Sequence, residues 1–241
     1  GLAAISIKGK WGYINKEGDT LIAPQFDNAY TFREGVARIR NRGKYMFINQ
    51  NGFVIIEGYK NTHDLKGEGG IEYFTDAGDF SNGLARVQIE DLYGYIDKSG
   101  NMVIKPQFKD AGDFVGNLAK VMIQKQYGLI NTTGRIAQRP QYQDIEFFTD
   151  SLILIKKFDK YGVIDANGQT ILYPEYDKIN FKERIIEGKK KRRFKYIDEN
   201  GNIKFDHVRD FSEGLAAVSF KGKSGYINTR GELVIDYKFD D

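Results

Sequence analysis

Two stretches of this chain hold side chains that could do chemistry. His63-Asp64, followed by Glu68, Glu72, Asp76 and Asp79, sets an imidazole beside carboxylates. Such a set could pass a proton between acid and base, or hold a hard cation through oxygen ligands. The same stretch carries Gly67, Gly69 and Gly70, the composition of a solvated loop, and that reading outweighs a catalytic or metal-binding one. The second stretch is Lys189-Lys190-Lys191-Arg192-Arg193, followed by Phe194-Lys195-Tyr196. A run of cations suits an anionic partner, although a lysine-rich edge also keeps strands from aggregating. No G-x-S-x-G nucleophile motif occurs, and the other histidine, His207, stands in an unrelated position. No catalytic residue, metal ligand or cofactor is assigned.

The elements that must position these residues come from an internal repeat. An aromatic or aliphatic residue, Ile, Asn or Asp, two variable residues and Gly recur seven times, at Tyr13–Gly18, Phe47–Gly52, Tyr95–Gly100, Leu129–Gly134, Val163–Gly168, Tyr196–Gly201 and Tyr226–Gly231. The starts are 34, 48, 34, 34, 33 and 30 residues apart, the period of a repeat architecture. Around each copy the pattern is β. Ala85, Val87 and Ile89 alternate with Arg86 and Gln88, which predicts a strand of period two. The following Tyr93–Asp97 is apolar on both faces, so each side must be covered. The Asx and Gly closing it predict a turn in which the Asx side chain bonds backbone two residues on and Gly is left-handed. They could be mistaken for calcium loops, but Lys98 stands where a ligand would be needed. A third strand, Met102–Phe108, carries Pro106; Pro24, Pro140 and Pro174 share its slot, marking an edge or a break.

The expected fold is therefore all-β, with seven tandem repeats of about 34 residues and three strands each. The boundaries fall at 1–34, 35–82 with an insertion at 58–79, 83–116, 117–150, 151–183, 184–213 and 214–241, in a single domain. Strands covered on both faces need stacked neighbours, which a propeller or an open β-solenoid supplies. Seven units and ordinary strands at both termini favour a propeller-like closed ring.

Lys10-Trp11-Gly12-Tyr13-Ile14-Asn15-Lys16-Glu17-Gly18, then Leu21–Asp27, then Phe32-Arg33-Glu34-Gly35-Val36-Ala37, resemble the WG (KWG) repeat, a tandem β-module of bacterial proteins. The resemblance spans the whole chain. The naming Trp survives only as Trp11 and becomes Tyr45, Tyr93, Tyr127, Tyr161, Phe194 and Ser224, which reads as packing rather than ligand recognition. The resemblance implies an interaction or scaffold module and offers no catalytic residues.

Composition narrows the rest. A net charge of +3 from 36 basic and 33 acidic residues argues against a dedicated nucleic-acid binder. No apolar run reaches the roughly 18–20 residues of a membrane helix. The absence of Cys favours an envelope or extracellular setting over the cytosol. In register, the basic run fills a turn that elsewhere holds Lys8, Lys10, Arg42, Lys44, Lys125, Lys156, Lys157, Lys160, Lys221 and Lys223, which predicts a basic rim. The expected function is a non-enzymatic scaffold binding a protein or an anionic glycan or envelope component. The rim side of that surface is Lys189, Lys190, Lys191, Arg192, Arg193 and Lys195, and the insertion side is His63, Asp64, Glu68 and Glu72. The alternatives are a hydrolase or lyase using the insertion, and a spacer for domains outside the chain.

Overall fold

The computed structural model describes residues 1–60, 70–182, 185–190, 193–198 and 203–240. The chain divides into two compact units, Gly1–Pro140 and Gln141–Asp241. Both are built of small antiparallel meanders. In the first unit, β1 (Ala3–Ile7), β2 (Lys10–Ile14) and β3 (Thr20–Phe26) form the first sheet, and β4 (Asn28–Ala29), β5 (Val36–Asn41), β6 (Lys44–Asn49) and β7 (Val54–Ile56) the second. A two-stranded ladder, β8 (Tyr59–Lys60) with β9 (Ile71–Glu72), flanks the insertion. The third sheet joins β10 (Asp76–Ala77), β11 (Leu84–Ile89), β12 (Leu92–Asp97) and β13 (Met102–Phe108). The fourth joins β14 (Leu118–Ile123), β15 (Gln126–Asn131) and β16 (Ile136–Tyr142), whose last strand carries the chain into the second unit. There the fifth sheet holds β17 (Asp144–Phe147), β18 (Leu152–Lys157), β19 (Lys160–Asp165) and β20 (Thr170–Tyr176). The sixth holds β21 (Lys178–Lys182), β22 (Ile185–Lys190), β23 (Arg193–Asp198) and β24 (Ile203–Phe205), and the seventh β25 (His207–Val208), β26 (Leu215–Phe220), β27 (Lys223–Asn228) and β28 (Leu233–Asp240).

The three strands expected per repeat are present in all seven sheets, but five sheets carry a fourth. It is a short leading strand that the sequence reading did not assign. Its residues pair with the next long strand, as Ala29 with Ile39 and Ala77 with Val87. In four of the five it follows the preceding third strand after a single residue, Asp27, Gln143, Asp177 or Asp206, so the chain enters the new sheet almost without a loop; in the third sheet the insertion intervenes. In the fourth sheet a lone bridge, Ala111 to Val121, takes its place.

Within each unit, the apolar clusters lie between successive sheets, one face of each against the opposite face of the next. Leu84, Tyr95, Ile104 and Phe108 of the third sheet pack on Ala119, Val121 and Ile130 of the fourth, with Phe114 between them. The reverse face of the third sheet, Ala85, Val87 and Ile96, packs on Phe47 and Ile56 of the second. The motif's adjacent aromatic and Ile therefore serve two different cores: in β12, Tyr95 points to the next sheet and Ile96 to the previous one. Alternation along a strand requires this, because neighbouring side chains leave on opposite faces. The small residues Ala37, Ala85 and Ala119 are fully buried, the crowding their size implied.

Two local devices fix the meanders. The Asx turns form as expected: the Asp97 carboxylate accepts from the N–H groups of Ser99 and Asn101 at 2.9 Å, and Gly100 is left-handed. Burial opposes the charge on Asp97, but these donors and the Asn101 side chain outweigh it and hold the carboxyl below its ordinary range. The second device is a bulge. Opposite Gly94, β13 shifts register between its pairs with Tyr93 and Tyr95, bringing the Ile104 carbonyl oxygen to 2.5 Å from where a Cβ would stand and Pro106 N to 2.8 Å. Gly12, Gly128 and Gly162 meet Pro24, Pro140 and Pro174 in the same way. The proline fits because the bulged strand gives up ladder bonds there, and only glycine leaves it room.

Candidate functional site

Three places on the described surface could act on a partner: a ladder of charged pairs between sheets, the rim of two-residue turns, and the cavity beside the insertion.

The ladder was not foreseen. The third residue of the long strand is Arg38 in β5 and Arg86 in β11, the latter read from sequence as part of the polar alternation. Arg38 reaches into the third sheet, donating to the Ala77 carbonyl and pairing through Nε with Asp79 at 3.0 Å. Its guanidinium lies 3.6 Å over the Tyr30 ring. Arg86 repeats the move one sheet on, donating to the Ala111 carbonyl at 3.2 Å and pairing with Asp113 at 3.4 Å and Asp76 at 3.3 Å. Burial pushes the Asp113 carboxyl up, and Arg86 pulls it back down. These ion pairs cross the sheet gap and tie sheets together; Arg86 Nε meets Asp113 only as an ion pair at 3.4 Å and has no hydrogen-bond partner of its own. The signal was a single spacing, Asp79 to Asp113, matching Arg38 to Arg86 only after the insertion is subtracted.

The rim carries carboxylates beside its cations. The single-residue links between sheets end beside the turns, and two of them, Asp27 and Asp177, each set a carboxylate against a rim lysine. Asp27 accepts from Lys10 Nζ at 2.6 Å and from the Arg42 N–H at 2.6 Å. Lys10 holds its carboxyl below the usual range, with the Arg42 N–H assisting. Asp177 pairs with Lys160 and Asp240 with Lys223 in the same fashion. Lys190, from the basic run, pairs with Glu175 at 2.8 Å, and Lys189 beside it is exposed in β22. Arg193 and Lys195 lie on β23, while Lys191 and Arg192 lie outside the described residues.

One rim turn stands apart. The turns are tight hairpins with left-handed residues, Lys8-Gly9, Arg42-Gly43 and Lys221-Gly222 among them. In the fifth sheet the equivalent position is Phe158, at φ 51° and 82 % exposed. A phenyl ring there carries backbone strain of about 1–2 kcal/mol and buries nothing in return. It stands among Lys156, Lys157 and Lys160, one sheet before Lys189 and Lys190. Sequence reading passed over it because the repeat register assigned that slot only a turn.

Beside the insertion, a cavity of about 700 Å³ is lined by Ile55, Ile56, Gly58, Tyr59, Ile71 and Met102 among others, with Glu57 its one carboxylate. Glu72 lies on β9, half buried. His63, Asp64 and Glu68 lie outside the described residues. Among the described residues, no three His, Asp or Glu side chains are grouped to hold a metal, and no helix is long and apolar enough to cross a membrane.

Seven small open antiparallel sheets from one repeated meander, with an interior spent on sheet-to-sheet contact, define a propeller-like all-β repeat protein. The chain belongs to the WG containing repeat family, which it matches over residues 11–45, 70–93, 93–125, 127–161, 161–183, 196–223 and 225–241. The matches leave out 46–69 and 184–195, which hold much of the insertion and the whole basic run. Trp11, the one residue keeping the family's name, is half buried against the cluster between the first two sheets. Among solved structures, a eukaryotic initiation factor is similar over 96 % of this chain and 71 % of its own, at 12 % identity and a TM-score of 0.50. The WD40 β-propeller domain of Doa1 is similar over 90 % of this chain and 85 % of its own, at 13 % identity and a TM-score of 0.37. No curated protein matches the chain in sequence.

Proposed function

We propose that this is a non-enzymatic bacterial binding scaffold that holds an anionic protein or envelope component on its rim turns, chiefly those of the fifth and sixth sheets. The observation that carries the reading is Phe158, an exposed aromatic held at a strained turn position among lysines. The left-handed backbone is shared with Lys8, Arg42, Glu90, Gln124 and Lys221; what sets Phe158 apart is a large apolar ring left exposed where the others carry polar side chains. The ring offers apolar contact area and the neighbouring lysines offer charge, the pairing that tight, charged interfaces use. Because Lys10, Lys160, Lys190 and Lys223 already have carboxylate partners, the rim would present alternating charge rather than a uniform field.

The test is crosslinking of the purified chain in an extract of its host, comparing the unaltered protein with Phe158→Gly and Phe158→Gly/Lys190→Glu. The reading expects a melting temperature no lower than that of the unaltered protein, loss of the major crosslinked partner in the first variant, and further salt-sensitive loss in the second. Identical partner yields from all three proteins would exclude the rim and leave the spacer role as the better account.

A further inference from the structure

The hairpin turn after the long strand of each sheet is closed by one cross-strand residue pair. In the first unit none of these pairs sets two cations opposite each other; in the third sheet, for instance, Ile89 faces Leu92. In the second unit Lys157 faces Lys160 in the fifth sheet, and Lys190 faces Arg193 in the sixth. Like charges set opposite one another cost stability. Carboxylates reach one lysine of each pair, Asp177 at Lys160 and Glu175 at Lys190, whereas Lys157 is held at 2.8 Å by the uncharged Gln141. The two turns emerge on one edge of the unit, because the fifth and sixth sheets pack in register, with Val163 and Tyr176 against Ile186. Phe158 occupies the tip of the first turn. It is the most exposed large apolar side chain among the described residues, and Lys157 Nζ lies 5.6 Å from its ring.

We propose that this edge docks the protein on an anionic lipid bilayer, with the Phe158 ring entering the boundary between headgroups and acyl chains and the flanking lysines lying among the headgroups. The proposal rests on the rim reading above and narrows its partner to a lipid surface. The shape of the apolar contact favours lipid over protein. From Lys156 to Lys160 the turn holds no second apolar residue, and its one acid, Asp159, lies 3.4 Å from Lys156. A protein partner binds through a buried patch of roughly 800 Å² a side, with its anchors seated in pockets at the centre. A lone ring on a convex tip supplies no such centre. A bilayer needs none: it accepts a single ring at the acyl boundary and sets phosphates at the level of the cations beside it. The charge also matches. The lysines on either side of the tip would meet anionic headgroups, which relieve the repulsion between the opposed pairs.

Co-sedimentation of the 241-residue chain with vesicles tests it, using phosphatidylcholine alone and phosphatidylcholine mixed with phosphatidylglycerol. The chain is expected on the anionic vesicles and not on the neutral ones, with binding that falls as salt rises. Phe158→Lys decides the mechanism. It installs the residue that the equivalent turns carry as Lys8 and Lys221 and adds a positive charge. Adhesion by charge alone would then tighten, whereas loss of the inserted ring should weaken binding about tenfold. Phe158→Trp should keep the binding and show blue-shifted emission on anionic vesicles, over the constant signal of Trp11. Circular dichroism confirms folding, and Phe158→Gly replaces the lysine variant if that one is not folded. Excess glycerol phosphate, the free headgroup, should not displace the chain. No binding to anionic vesicles, binding undiminished in Phe158→Lys, or displacement by glycerol phosphate would overturn the proposal. If it falls while Phe158→Gly still loses its crosslinked partner in the extract, the rim reading stands with a protein as the partner; if the crosslinks are also unchanged, both readings fall.

Discussion

Tyr95 shows how completely a repeated residue can be committed to structure. It is wholly buried, and its hydroxyl donates to the Gly112 carbonyl, seventeen residues on in the segment leading to the next sheet, at 2.7 Å; Tyr13 does the same to Tyr30. Burial raises both phenols above the ordinary 10.0, against a lowering by Arg86 at Tyr95 and by the hydrogen bond at Tyr13. A raised folded-state value means the neutral form is the one stabilised. Their contribution is full below pH 10 and is lost as pH climbs past 10 toward the folded values. Alkaline titration followed by circular dichroism should show unfolding beginning above that point. Tyr95→Phe should lower stability at pH 7 by about 1 kcal/mol in urea melts while flattening part of the alkaline loss. At Arg86 the expectation runs the other way. Arg86→Met leaves Asp76 and Asp113 facing each other, costing about 1–3 kcal/mol after allowance for solvent screening. Denaturant midpoints measured from pH 7 to pH 4 should recover part of that loss as Asp113 takes up a proton.

At the scale of the element, the glycine of the repeat and the proline of its third strand form one device. Gly94→Ala would set a Cβ against the Ile104 carbonyl, and urea unfolding should report a loss of about 1–3 kcal/mol. The reverse holds at the rim, where Phe158→Gly relieves a left-handed phenylalanine and should leave the melting temperature unchanged or higher. The strands and Asx turns were legible because their signals are local: alternation at Ala85, Val87 and Ile89, and an Asx three residues before a Gly. The leading strand was not legible, because two residues such as Asn28-Ala29 carry no period and gain their identity only by pairing with Arg40 and Ile39. The rim's charge balance was missed for a related reason. Lys10 and Asp27 are separated by the whole of β3, and nothing local says that the strand returns to the turn.

For the molecule as a whole, the repeat supplies stability by nearest-neighbour contact, so each interface between sheets contributes in turn. A cavity made within one interface should therefore act locally. Ile186→Ala, in the cluster between the fifth and sixth sheets, should speed hydrogen exchange in β18 to β22 and leave β1 to β6 at their original rates. That contrast, read by mass spectrometry, separates a repeat array from a single cooperative core. Function was least legible at this scale, because recurrence marks scaffold and the informative residues are exceptions to it. The insertion and the basic run showed themselves by breaking the period, whereas Phe158 keeps the turn's conformation and differs only in carrying an exposed apolar ring.

The single-residue links between sheets bear on how such a chain changes length. Five of the seven sheets take their short leading strand from the sequence copy that ends the sheet before. The seam of the sequence repeat and the seam of the sheet are thus out of phase, overlapping like courses of brick. Excising residues 95–128 would join Gly94 to Leu129, two positions with the same neighbours one copy apart, and every remaining sheet would keep a full set of strands. Gain or loss of a whole period is therefore tolerated from any starting point in the cycle, and a lineage of such proteins can alter its number of sheets without first evolving a linker.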